Sequence, residues 1–120
     1  MANLLIDEEL MKSNIRILEP AGILDGTKAE AFRQEVDAAL DDGADTLLID
    51  LANISFVDSS GLGILVVVLK KVRASQKKMY VCSINDQVRM LFELTSMDRV
   101  FEVLPDRAAF EEKVAGASNA

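Results

Sequence analysis

Histidine is missing from all 120 residues, which removes the side chain most often used as a general base near neutral pH and the commonest metal ligand. Neither a metal nor another cofactor is expected. Cysteine occurs once, so no intramolecular disulfide forms, and Cys82 follows Met79, Tyr80 and Val81, an apolar setting in which a thiol is ordinarily buried and inert. That favours a reducing compartment. The longest apolar run, Leu62 to Leu69, is far short of the roughly 20 residues that a membrane-crossing helix needs. The opening Met1-Ala2-Asn3-Leu4, with acidic residues soon after, lacks the basic start and long apolar region of a secretory signal. A soluble, cytoplasmic protein with no membrane partner is expected. Positive charge is scarce as well. Lys and Arg number 13 against 20 Asp and Glu, giving a net charge of -7, and apart from Lys70-Lys71 and Lys77-Lys78 the cations are scattered. Such a chain repels a phosphate backbone, so nucleic acid is not an expected partner.

Half of the residues are hydrophobic, and the length suits one domain with one core. Leu4 to Leu10 and Ile15 to Glu19 read as short strands joined through Met11-Lys12-Ser13-Asn14, a polar stretch suited to a hairpin turn. Pro20, Ala21 and Gly22 interrupt. Thr27 then stands three residues before Glu30, the capping-box spacing that marks a helix start. Phe32, Val36, Ala39 and Leu40 share one face of that helix, and Gly43 stands where a left-handed C-terminal residue is wanted. Thr46 to Leu51 is a nearly continuous apolar run, the pattern of an interior strand covered on both faces. Residues Ala52 to Ser60 read as a connection. Beyond it Val66-Val67-Val68 favours strand, but Leu62, Leu65, Val66, Leu69 and Val72 recur at helical spacing and predict a helix from about Ser60 to Gln76.

Met79 to Ile84 reads as a strand, Asp86 as the cap of a helix carrying Val88, Leu91 and Phe92, and Arg99 to Val103 as a short last strand. Pro105-Asp106 opens a final helix using Ala109, Phe110 and Val114, after which 115–120 read as a flexible tail. The order predicts an α/β fold with one domain over residues 1–114: a mixed, mostly parallel sheet of four or five strands and about four helices. The N-terminal hairpin would supply the antiparallel pair.

The chemical interest centres on Phe56-Val57-Asp58-Ser59-Ser60-Gly61-Leu62-Gly63. It sets two hydroxyls and a carboxylate at the start of a helix, where unpaired N–H groups and the positive end of the dipole favour an anion such as a phosphate on Ser59. Capping alone also explains Asp58, Ser59 and Ser60 at such a place. The helix that follows is apolar beyond the one face needed to bury it. Ile64, Val67 and Val68 lie outside the stripe of Leu62, Leu65, Val66 and Leu69, so they are either covered by another element or form a patch that binds a partner.

An ordered set of features resembles the anti-sigma factor antagonists of the STAS family. They are Ala21-Gly22-Ile23-Leu24-Asp25 before an Ala- and Glu-bearing helix, Leu48-Ile49-Asp50-Leu51, the Asp58-Ser59-Ser60-Gly61-Leu62-Gly63 element, the strand around Val81, and Val88-Arg89-Met90-Leu91-Phe92. The resemblance runs from about Leu5 to Val114 and implies a STAS-like domain that is not an enzyme. It implies that Ser59, directly after the motif aspartate, is phosphorylated by a serine kinase that is also an anti-sigma factor. Asp25 would lie near that serine and the kinase's nucleotide, with Asp58 shaping the loop. The unphosphorylated form would bind the kinase and release a sigma factor, and a serine phosphatase would restore it. The expected contact surface comprises Asp25, Gly26, Asp58, Ser59, Ser60, Gly61, Leu62, Ile64, Val67 and Val68. One departure is that Ser96-Met97-Asp98 follows Leu94-Thr95 where the family often has a Ser-Gly-Leu-like turn.

Other readings fit less well. For a dinucleotide-binding fingerprint Gly61-Leu62-Gly63 has Val66 in place of the third glycine, and the preceding strand ends about ten residues earlier. For a serine hydrolase Val57-Asp58-Ser59-Ser60-Gly61 lacks the Gly-x-Ser-x-Gly pattern and the histidine. A receiver-like regulator phosphorylated on Asp50 suits the length and strand order, yet the first strands end without the acidic pair that would hold Mg²⁺. A STAS domain acting as a scaffold, with Ser59 only a cap, remains open.

Overall fold

The computed structural model describes residues 14–119, with side chains through Ala115. The strands are β1 (Ile15–Leu18), β2 (Gly22–Leu24), β3 (Thr46–Asp50), β4 (Ile54–Val57), β5 (Lys78–Cys82) and β6 (Val103–Leu104), and the helices are α1 (Ala29–Asp41), α2 (Ser59–Ala74), α3 (Asp86–Leu94) and α4 (Arg107–Asn119). Short 3-10 turns occupy Gly26–Lys28 and Met97–Arg99. The strands form a four-stranded sheet in the order β1-β3-β5-β6 and a two-stranded sheet of β2 and β4, and every described pair is parallel. The expected strand at Leu4–Leu10, and with it the antiparallel hairpin, lies outside the described residues.

β3 confirms what its continuous apolar run implied. Leu47 and Ile49 face a core shared with α1, α2 and α3, while Leu48 faces the opposite side, where Tyr80, Cys82 and Phe110 of α4 meet it. A strand covered on both faces has no polar side to display. Val81 repeats this on β5 with Met79 on the first face, and on the second Tyr80 meets Phe110 edge-on at 5.5 Å between ring centres. Gly43 is left-handed (φ 89°), with its N–H donating to Leu40 O and that of Ala44 to Ala39 O, the paired bonds that close a helix C-terminus.

Four local expectations are corrected. The capping box at Thr27 does not form: Asp25 accepts from the Thr27 N–H, the chain first makes a 3-10 turn, and Glu30 pairs with Arg33 instead. The 52–60 connection contains β4, whose four residues are too few and too mixed in polarity to read as a strand alone. Asn85, one residue before Asp86, caps α3 by accepting from the Val88 N–H at 2.9 Å. The last strand is Val103–Leu104, since Met97–Arg99 coils first. Ser96 takes the left-handed conformation itself (φ 60°), so the turn forms with serine where glycine would carry less strain. The backbone of α4 stays helical through Asn119, past the boundary expected at 114. No helix among the described residues is long and apolar enough to cross a membrane.

Candidate functional site

The parallel pairing of β2 with β4 builds the site. Leu24 and Val57 are register partners, so the residues that follow them, Asp25 and Asp58, leave the sheet side by side at the same end. Each aspartate then caps what comes next. Asp25 accepts from the Thr27 N–H and hydroxyl, and Asp58 accepts from the Gly61 N–H at 2.7 Å, making it the N-cap of α2. The Thr27 hydroxyl is the main influence holding the Asp25 carboxyl below its ordinary pKa, so this group is ionised at neutral pH.

With Asp58 as cap, Ser59 is the first helical residue and Ser60 the second, and both are exposed. The Ser59 hydroxyl makes no hydrogen bond to another described residue. The two loops abut. The Asp58 N–H donates to Leu24 O at 3.3 Å, and a Cβ on Gly26 would lie 3.7 Å from Ser60 Cβ. Gly61 makes the contact possible, because a Cβ there would sit 2.0 Å from Leu24 O, where no side chain fits. Gly63 has open space around its missing Cβ and no such duty.

Beside Ser60 a groove of about 430 Å³ runs between the first turns of α1 and α2, lined by Gly26, Ala29, Arg33, Ile64 and Val67 among others. Of the residues expected to touch a partner, Asp25, Gly26, Asp58, Ser59 and Ser60 are gathered at the mouth of α2, Ile64 is half-buried and Val67 is 53% exposed. Gly61, Leu62 and Val68 are buried, with Leu62 and Val68 in the main core that α1 helps to close and Val68 also lining the groove. The apolar surplus on α2 is thus mostly covered by α1, leaving Val67 outside.

Ile23 and Phe56 belong to the two motifs but were not among the residues expected on the contact surface. They are register partners on β2 and β4, 49% and 45% exposed, and lie two residues before Asp25 and three before Ser59. Reading β4 as a strand would have placed them. Also missed were Asn85 and Gln87, whose side-chain amides bond the backbone of β4 from about 30 residues away, a relation that leaves no periodic trace.

Asp50 is buried and structural. Burial pushes its carboxyl pKa upward, but the Arg107 guanidinium at 2.6 Å and the Ala52 N–H at 3.0 Å outweigh that and hold it below the ordinary value. Arg107 also pairs with Glu19, so this guanidinium ties the ends of β1 and β3 to the start of α4.

Comparison with known proteins agrees with this geometry. The STAS domain family model matches residues 11–115. BtrV of Bordetella bronchiseptica, assigned as an anti-sigma factor antagonist, is 28% identical over 88 residues, covering 73% of this chain and 76% of its own. The anti-sigma-B factor antagonist of Staphylococcus aureus is 34% identical over 62 residues, 52% of this chain and 57% of that relative. Among solved structures, one from Thermotoga maritima assigned as an anti-sigma factor antagonist superposes with a TM-score of 0.78 at 27% identity, covering 84% of this chain and 87% of the other.

Proposed function

Because the chain belongs to the STAS domain family, we propose that it is an anti-sigma factor antagonist without catalytic activity of its own, switched by phosphorylation of Ser59. Unphosphorylated, it binds an anti-sigma factor serine kinase in the cytoplasm and releases a sigma factor, and a serine phosphatase reverses the modification. The observation that carries the reading is the placement of Ser59: exposed, first in α2, its hydroxyl without a hydrogen bond to another described residue, and beside two capping aspartates on touching loops. A kinase can reach such a hydroxyl without unfolding the chain.

The switch follows from charge. A phosphate brings about -1.5 to -2 charges to a mouth that already holds Asp25 and Asp58, so a partner surface fitted to the neutral serine loses affinity. The helix dipole offsets only a part, since it amounts to roughly half a unit charge. Asp50, the acceptor in a receiver-like scheme, is committed to Arg107.

The test starts with Ser59→Ala as bait in a pull-down from the native cell, followed by incubation of wild type with each captured kinase and ATP. Mass spectrometry is expected to find one phosphate, on Ser59, that survives acid as phosphoserine does. Binding partners that never phosphorylate Ser59 would reduce the protein to a scaffold.

A further inference from the structure

Among the described residues β4 has a ladder partner on one side only, β2, and strand edges left bare carry N–H and C=O groups that need partners. Two amide side chains at the start of α3 occupy the other edge. The Asn85 side-chain N–H donates to Ile54 O and to Ser55 O, each at 3.2 Å. Gln87 does more: its Oε1 accepts from the Val57 N–H at 2.9 Å and its Nε2 donates to Val57 O at 2.8 Å. One side chain thereby makes the pair of bonds that a neighbouring strand would make.

Val57 is fully buried and directly precedes Asp58. From the β2 side the same stretch is tied by the Asp58 N–H to Leu24 O, a longer bond at 3.3 Å. We propose that Gln87 is a positioning residue for the Ser59 turn, clamping the end of β4 through Val57 so that Asp58 and Ser59 leave the sheet along one path. The consequence for phosphorylation rests on the proposed function, whereas the clamp itself does not. Without the amide, Val57 keeps its apolar burial but loses both backbone partners, and Ser59 samples several positions before a kinase can use one.

The test uses the full chain with Gln87→Leu, which removes both bonds, and Gln87→Glu. An ionised glutamate can only accept, so it loses the bond to Val57 O. A protonated glutamic acid again offers one acceptor and one donor, in nearly the shape of the amide. Amide hydrogen exchange is followed residue by residue by NMR against wild type at equal pH. Near pH 7 both variants are expected to lose at least tenfold in protection at Val57 beyond any change at Val81 in β5, and to show faster exchange at Gly61, whose N–H is held by Asp58. At about pH 4, near the ordinary glutamate pKa, protection in Gln87→Glu is expected to return towards wild type while Gln87→Leu stays low. A simple packing defect would not recover in this way.

With a kinase from the bait experiment, kcat/KM for Ser59 of Gln87→Leu is expected to fall about tenfold at a temperature where circular dichroism shows it folded. Unchanged protection at Val57 and Gly61, or unchanged kcat/KM in a folded variant, overturns the inference. If wild type is never phosphorylated, the proposed function fails, and the exchange experiment still decides whether Gln87 holds the turn.

Discussion

At the scale of single residues the two glycines of the helix mouth make opposite demands. Gly61 is pressed against the Leu24 carbonyl, and backbone cannot swing aside as the end of a side chain can. Gly61→Ala therefore forces α2 away from β2, at a cost of about 3 kcal/mol and roughly 10–15 °C of melting temperature. Gly63→Ala meets nothing and replaces a helix-weakening residue, so it raises stability by up to about 1 kcal/mol. Thermal melts of the two variants check both, and equal shifts would contradict the close approach. A cap among Asp58, Ser59 and Ser60 and the left-handed Gly43 were legible in the sequence because each depends on neighbours a few positions away, and the structure selects Asp58. That the motif glycines allow a close approach of helix to sheet was legible as well, but not which of the two makes it or that the contact is the Leu24 carbonyl, far earlier in the chain.

At the scale of elements, α2 shows how far a pattern reaches. Helical spacing identified it against the strand preference of Val66-Val67-Val68, whereas the surplus of apolar positions left open whether a second element covers them or they form a patch. Which of those positions stayed outside was not legible, because that depends on the angle at which α1 crosses. Val67→Glu is expected to leave the unfolding free energy within about 0.5 kcal/mol of wild type while weakening partner binding. Val68→Ala, from a fully buried site, is expected to cost about 2 kcal/mol. Urea denaturation with a binding titration on each protein separates the two. A collapse of Val67→Glu would return that residue to the core. β4 escaped detection for a related reason: its outer edge is satisfied by side chains of α3 rather than by a strand with its own pattern.

Over the whole molecule, the alternation of strands and helices and the two-sided burial of β3 were readable in the sequence, while the order of the strands in the sheet and the ionic tie between its layers were not. Asp50 sits below its ordinary pKa despite burial because Arg107 and the Ala52 N–H favour the charged form. Its folded value therefore lies beneath the unfolded value of about 3.9, so the stability it contributes is complete above that pH and lost as pH falls through the folded value. Asp25 and Asp45 are shifted in the same direction and add to the same loss. Asp50→Asn is expected to narrow the gap between urea midpoints measured at pH 7 and pH 3, and an undiminished gap would mean that Asp50 has no part in the acid response.

The proposed switch requires that affinity follow the charge carried at one exposed hydroxyl, that of Ser59. Protein phosphorylated on Ser59 and the unmodified protein, titrated side by side by calorimetry into the same purified kinase, measure this directly. A loss of at least tenfold in affinity on phosphorylation, with the fold unchanged by circular dichroism, is the expected result. Equal affinity of the two forms would contradict the switch.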